Sequence, residues 1–418
     1  MFNRHRRVIP YCVPSWGWRE HLIIAKCLIT GTVINGRSIR NLYDLIREMT
    51  GVPHVFGFGS GAEAISACLR ASGIGPGHEV VMPSFCCHSV ADAVRSCGAE
   101  PLFCEVGRDL NPDGNHILSL LNPSVRAIIF PHLFGRPGDI QLLEEKLHRS
   151  GDRDRILLID DAAQSFGACI DSRPIGTFGD AGIISFGPGK MTTASGGGLL
   201  LTNSPALAET IGKLPASPPG LPDKIRELFY WLIFRRWRKY TARAFPYLGF
   251  FFRKTGKAEG HLARLANIDA AIALSQIRRL DDIIAMRRKV KNQLDEVLED
   301  IRRTYHLPIR FPEELPAGRR ETFTKQVFFL DGAGQAGFSA KQFYAFLHQA
   351  GIELQPLYSP LHLNPRYRKP EARLAFTEQL SDTVLNLSND PTISPEDIRH
   401  IRKTLNNFFQ PADQRQDT

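Results

Sequence analysis

No apolar run in the 418 residues approaches the roughly 20 needed to span a bilayer. The opening stretch, MFNRHRRVIPYCVP, is basic but lacks the apolar core of a signal peptide. None of the eight cysteines stands in a Cys-x-x-Cys pair, which excludes a zinc ribbon or a thioredoxin-like motif. Adjacent Cys86 and Cys87 are poorly placed for a disulfide. Most cysteines sit in apolar runs, as small core residues do, and no metal site is expected. A cytoplasmic location is the expectation that follows. Repeats are absent, and Gly 35 with Pro 28 exclude a collagen-like or low-complexity chain. Hydrophobic residues at 43% and charged residues at 23% fit a globular chain of one large or two medium domains.

Acidic residues are scarce in one stretch only. The formal net charge is +9, and between Lys213 and Lys257 eleven cations face just Asp223 and Glu227. That stretch accounts for the whole excess, so the rest of the chain is neutral. A uniformly basic nucleic-acid binder is therefore not expected.

Short apolar runs alternate with helical stretches from about Val55 to Asn203. Strands are expected at 79–82, 101–104, 127–130, 156–159, 181–186 and 198–202, with helices such as Gly61–Ser72 and Ile140–Arg149 between them. Apolar strands separated by helices imply an α/β fold with a mostly parallel sheet covered on both faces. Sites in such sheets form at the carboxyl ends of strands. A long helical pattern runs from Asn267 to about Arg303, followed by a mixed α+β part with a strand at 326–330 and helices at 339–350 and 395–409. The expected division is a large domain over 1–213, an insertion over 214–258, and a connecting helix with a smaller C-terminal domain over 259–418.

Three features carry chemistry. The strand Leu158-Ile159-Asp160-Asp161 ends in two acids, and buried acids need partners. Either acid can cap the following helix; Asp161 is favoured as the functional one. Ser185-Phe186-Gly187-Pro188-Gly189-Lys190 places a lone lysine in a Gly/Pro-rich loop after a strand. Gly57-Phe58-Gly59-Ser60-Gly61-Ala62-Glu63 is a glycine-rich turn opening a helix, a ready anion site. A phosphate held at the turn and Ser185, an acid for a ring nitrogen and a lysine for a Schiff base are the needs of pyridoxal 5'-phosphate.

The chain resembles the DegT/StrS-type sugar aminotransferases, pyridoxal-phosphate enzymes of fold type I, from about Ile9 to Phe409 outside the 214–258 segment. The matching stretches include 75–85, 131–135, Asp160-Asp161-Ala162-Ala163-Gln164-Ser165-Phe166-Gly167, 179–186 with Lys190, and 270–277. The resemblance implies that Lys190 is the Schiff-base lysine and that Asp161 pairs with the ring nitrogen. It places Gln164 near the phenolic oxygen, Ser60, Gly61, Ala62 and Ser185 at the phosphate, and Cys87 at the ring-stacking position. It gives Arg264 to a loop lent to the other subunit. His132 is either a substrate contact or a buried structural histidine. It further implies a homodimer that moves an amino group from glutamate to a keto-sugar nucleotide. The chain departs from the family at Ala62 (usually Thr), Cys87 (usually aromatic, with His88 as a substitute ring), Leu262 (usually Asn) and Gly196 (usually an acid). The family's dehydratase branch replaces the lysine with histidine, so the lysine here favours amino transfer. Dehydration, or a catalytically weakened regulatory or membrane-associated role, is the alternative.

The insertion exceeds what the family places there. Leu228-Phe229-Tyr230-Trp231-Leu232-Ile233-Phe234 precedes a run of cations, and a second aromatic cluster follows at 245–252. Rings beside Arg and Lys suit a membrane interface, so 221–254 is a candidate contact with the inner face of a membrane or a lipid-linked substrate. A helical hairpin packed on its own dimer is the plainer reading.

Overall fold

The computed structural model describes residues 8–12, 16–235, 261–331, 339–354, 358–367 and 373–410, with backbone alone at 233–235. Its centre is a seven-stranded sheet. The strands are β1 (His54–Phe58), β2 (Glu79–Pro83), β3 (Glu100–Cys104), β4 (Val125–Pro131), β5 (Leu157–Asp161), β6 (Ala181–Ser185) and β7 (Gly198–Thr202), in the spatial order β1-β7-β6-β5-β4-β2-β3. The pairs from β3 through β6 are parallel, and β7 is antiparallel to both its neighbours. The antiparallel strand has a plain cause. Parallel neighbours need a crossover element, and the link from β6 to β7 is a short loop carrying Lys190 with no helix in it.

Helices cover both faces. They are α1 (Trp18–Ile29), α2 (Ser38–Thr50), α3 (Gly61–Ala71), α4 (His88–Arg95), α5 (Gly114–Ser119), α6 (Ile140–Ser150), α7 (Pro205–Lys213), α8 (Leu221–Phe229), α9 (Asn267–Ile277) and α10 (Leu280–Tyr305). The helical pattern expected to run unbroken from Asn267 is two helices. Arg279 leaves helical geometry at φ −132°, ψ 32°, and separates α9, buried nearly all round, from amphipathic α10. One side of the sheet packs Leu199, Leu201, Ile184 and Phe186 against α2 and α9. The other packs Val80, Met82, Ile129, Ile159 and Ile183 against α3 and α4.

A separate core surrounds a three-stranded sheet of β8 (Ile309–Arg310), β9 (Gln326–Leu330) and β10 (Val384–Leu387), ordered β8-β9-β10. It is covered by α10, α11 (Ala340–Gln349) and α13 (Pro395–Phe409), while α12 (Ala375–Thr383) leads into β10. The 214–258 insertion leaves and re-enters beside itself: Ala216 and Ser217 pair in parallel with Leu262 and Ala263. Its first helix, α8, is followed by a π-helical turn over Tyr230–Arg235. The cationic run from 236 and the second aromatic cluster lie outside the described residues. Among the described residues, no helix is long and apolar enough to cross a membrane.

Candidate active site

The site lies where β5, β6 and the loop after β6 meet the start of α3. Ser60 is the N-cap of α3, and its Oγ accepts the Glu63 N–H at 3.1 Å. The Gly61 and Ala62 N–H groups precede the first intrahelical bond and lie at the positive end of the helix. Ser185, the last residue of β6, closes the other side. A Cβ built on Gly61 would stand 3.0 Å from the Ser185 Cβ and 3.2 Å from its Oγ. The two walls therefore approach as closely as glycine permits, and amides and a hydroxyl converge there as an anion requires.

The two acids ending β5 have different surroundings. Asp160 is consumed by structure: one carboxylate oxygen accepts the Gly176 and Phe178 N–H groups at 2.6 and 3.0 Å, and the other lies 3.0 Å from His132 Nε2. Nδ1 of His132 accepts the Gly138 N–H at 2.8 Å, so its proton is on Nε2 and is donated to Asp160. His132 is 0% exposed, with both ring nitrogens engaged. Of the two readings of His132, this geometry fits the buried structural one. Asp161 is also buried, and its carboxylate accepts the Ala163 N–H at 2.9 Å. Burial raises its carboxyl above the usual carboxylate range, against the pull of the Ala163 N–H and the Lys190 ammonium. It is an acid suited to a cationic partner.

Lys190 is half-buried on a loop braced from three directions. The Thr193 hydroxyl donates to the Lys190 carbonyl at 3.1 Å. Gln276 of α9 bonds Thr193 twice, accepting its N–H at 2.9 Å and donating to its carbonyl at 2.7 Å. Trp16 Nε1 donates to the same carbonyl at 2.7 Å. Lys190 and Asp161 both act electrostatically on the Cys86 thiol, which burial pushes well above its usual value. These groups share one neighbourhood.

Gln164 Oε1 accepts the Phe134 N–H at 3.3 Å, and its Nε2 donates to the Tyr358 hydroxyl at 3.4 Å. Phe134 holds φ +57°, a left-handed value that costs about 1–3 kcal/mol for a bulky residue. Its ring packs with Phe85 and Tyr358. Sequence reasoning missed Tyr358, in a distant segment without a motif, and gave no role to Phe134 and Gln276, which lie within the matching stretches 131–135 and 270–277. Cys87 is the N-cap of α4, with its Sγ 3.1 Å from Ser89 Oγ. His88, the expected substitute ring, instead lies 3.4 Å from Asp92 with its side chain 70% exposed. Leu262 is packed in the core beside α3. Arg264 is exposed, and its Nε donates to the Ala216 carbonyl at 3.0 Å.

The carboxyl ends of two central strands bring a buried acid and a braced lysine to the start of α3, on the fold type I architecture of pyridoxal-phosphate aminotransferases. The chain belongs to the DegT/DnrJ/EryC1/StrS aminotransferase family, which matches residues 19–406. Pyridoxal phosphate is that family's cofactor. It is similar to the GDP-perosamine synthase of Caulobacter vibrioides, with 28% identity over 95% of this chain and 97% of that protein. The GDP-perosamine synthase of Vibrio cholerae is 25% identical over 96% and 99%. Among solved structures, a DegT DnrJ EryC1 StrS aminotransferase from Brucella abortus superposes with a TM-score of 0.70. It is 26% identical and covers 94% of this chain and 96% of its own.

Proposed function

We propose that the chain moves an amino group from glutamate to the keto carbon of a nucleotide-linked sugar, in the synthesis of a polysaccharide or glycan precursor. The carrying observation is the meeting of Lys190, Asp161, Ser185 and the start of α3 at one end of the sheet. Pyridoxal phosphate, when bound there, supplies an electron sink for the α-carbon of the amino donor. The Gly61 and Ala62 amides and the Ser185 hydroxyl would hold its phosphate. Asp161 would pair with the ring nitrogen, its buried carboxylate stabilised by that charge. Gln164, held by Phe134 and Tyr358, would contact the phenolic oxygen. Lys190 would anchor the cofactor and carry a proton at the donor's α-carbon. The Asp160–His132 pair fixes the end of β5 and thereby orients Asp161.

The test is 2-oxoglutarate release from glutamate by the pyridoxal-phosphate-loaded chain, against a panel of keto-sugar nucleotides. GDP-linked sugars come first, because the curated relatives are GDP-perosamine synthases. Turnover that needs both substrates is expected, and Lys190→Ala should lose it together with the visible band of bound cofactor. A colourless wild-type protein, or no turnover with any member of the panel, would refute the reading.

Two assembly features accompany this reading. Arg264 and an apolar groove of about 770 Å³ lined by Trp18, Leu22, Ala271 and Leu274 support a homodimer. Leu221, Ile225 and Phe229 are 47%, 37% and 53% exposed along one face of α8, which supports contact of 221–254 with an anionic membrane surface. Pelleting with anionic vesicles, weakened by salt and lost on deletion of 221–254, is the expected result. Unchanged pelleting of the deletion would remove the assignment.

A further inference from the structure

Helix α8 buries a charge on its inner face. Lys224 faces in beside buried Leu228 and is only 5% exposed, while the apolar Leu221, Ile225 and Phe229 face out. The Lys224 ammonium lies 2.7 Å from Asp269 of α9 and 2.7 Å from Glu227, one turn along its own helix. Burial alone would lower its pKa; the Asp269 and Glu227 carboxylates outweigh that and hold it above the usual lysine value. Asp269 is 1% exposed, and its other oxygen accepts the Ser195 N–H at 3.1 Å and the Ser195 hydroxyl at 2.5 Å.

Ser195 opens the turn Ser195-Gly196-Gly197, which is built into the anion cradle. The Gly197 N–H donates to the Gly59 carbonyl at 2.9 Å, and Gly197 bridges Ser60. The next residue, Gly198, pairs with Ser185, and a Cβ on it would stand 2.5 Å from the Gly61 nitrogen. Gly196 is the position where the resembling family carries an acid. A Cβ there would meet Lys224 Nζ at 3.4 Å and Glu227 Oε2 at 3.7 Å. Charge that 196 lacks therefore reaches the turn from α8 and α9.

We infer that Lys224 is a positioning residue for the phosphate cradle, acting through Asp269 and the 195–197 turn, so that the insertion's first helix forms part of the cofactor site's support. This rests on the reading of Ser60, Gly61, Ala62 and Ser185 as that cradle. Breaking a buried pair leaves an uncompensated charge at Asp269, next to Ser195. The turn shifts, and Gly198 with it.

The experiment titrates the full chain with pyridoxal phosphate and with pyridoxal, which lacks the phosphate, and follows the visible band. In Lys224→Met the dissociation constant for pyridoxal phosphate should rise about tenfold, within the usual range of coupling between linked sites, and that for pyridoxal less than about twofold. Lys224→Arg, which keeps the charge, should recover part of the loss. Glu227→Gln, at the solvent edge of the cluster, should move the same ratio in the same direction by less, and gives the readout if Lys224→Met does not fold. An unchanged ratio in a folded Lys224→Met, or in Glu227→Gln where Lys224→Met is unfolded, overturns the inference. So does equal weakening of both compounds, which marks a general structural role. A wild type that binds the two compounds equally overturns the cradle itself, and this inference with it.

Discussion

At the scale of single residues, the clearest division is between the two acids of β5. Asp160 is saturated by two amides and an imidazole, whereas Asp161 is left above its usual pKa by burial. An acid with a raised pKa in the folded state binds more protons folded than unfolded, so stability falls as pH rises from the unfolded value through the folded one. Cofactor-free Asp161→Asn keeps an oxygen for the Ala163 N–H and escapes that penalty. It should melt no lower than wild type near about pH 7, with the difference closing below about pH 3, where the carboxyl is neutral in both states. Its affinity for pyridoxal phosphate should nevertheless fall. A marked loss of melting temperature at neutral pH would show that Asp161 is structural. The sequence made Asp161, Lys190 and Ser185 legible because each ends a strand or follows one in a fixed order. It did not separate His132 from the substrate, since a buried histidine and a binding histidine look alike without their partners.

Elements decide how firmly those residues are held. Helix α9 is the brace: Gln276 supplies two of the bonds to Thr193 on the lysine loop, and Asp269 holds the next turn. Gln276→Leu leaves a buried N–H and a carbonyl without that partner and should cost about 3 kcal/mol of unfolding free energy in urea. A change under about 1 kcal/mol would mean the loop finds other partners. Strands β2 to β7 and β9 were legible from apolar period and turn residues, whereas β1, β8 and β10 were not. The reversal of β7 was not, because nothing in Gly198–Thr202 states its direction; direction comes from the loop before it. The break at Arg279 was equally hidden, since apolar spacing continues across it.

For the whole molecule, α1 leaves Trp18, Leu22, Leu28 and Ile29 exposed beside the groove against α9, more apolar surface than a lone chain leaves without purpose. A second copy is the proposed occupant. Light scattering should give twice the 46.8 kDa chain mass, and Leu22→Asp should shift it toward one. A wild type at a single chain mass at micromolar concentration would remove the proposal. Net charge, the first whole-chain property the sequence offers, says little about catalysis; it marks the insertion. The inward lysine and outward apolar stripe of α8 have a thermodynamic corollary. Whatever grips the outer face of α8 and favours its seated position must tighten cofactor binding by some factor, and cofactor must tighten that grip by the same factor. Loading the enzyme and attaching it to a surface would then be two readings of one equilibrium.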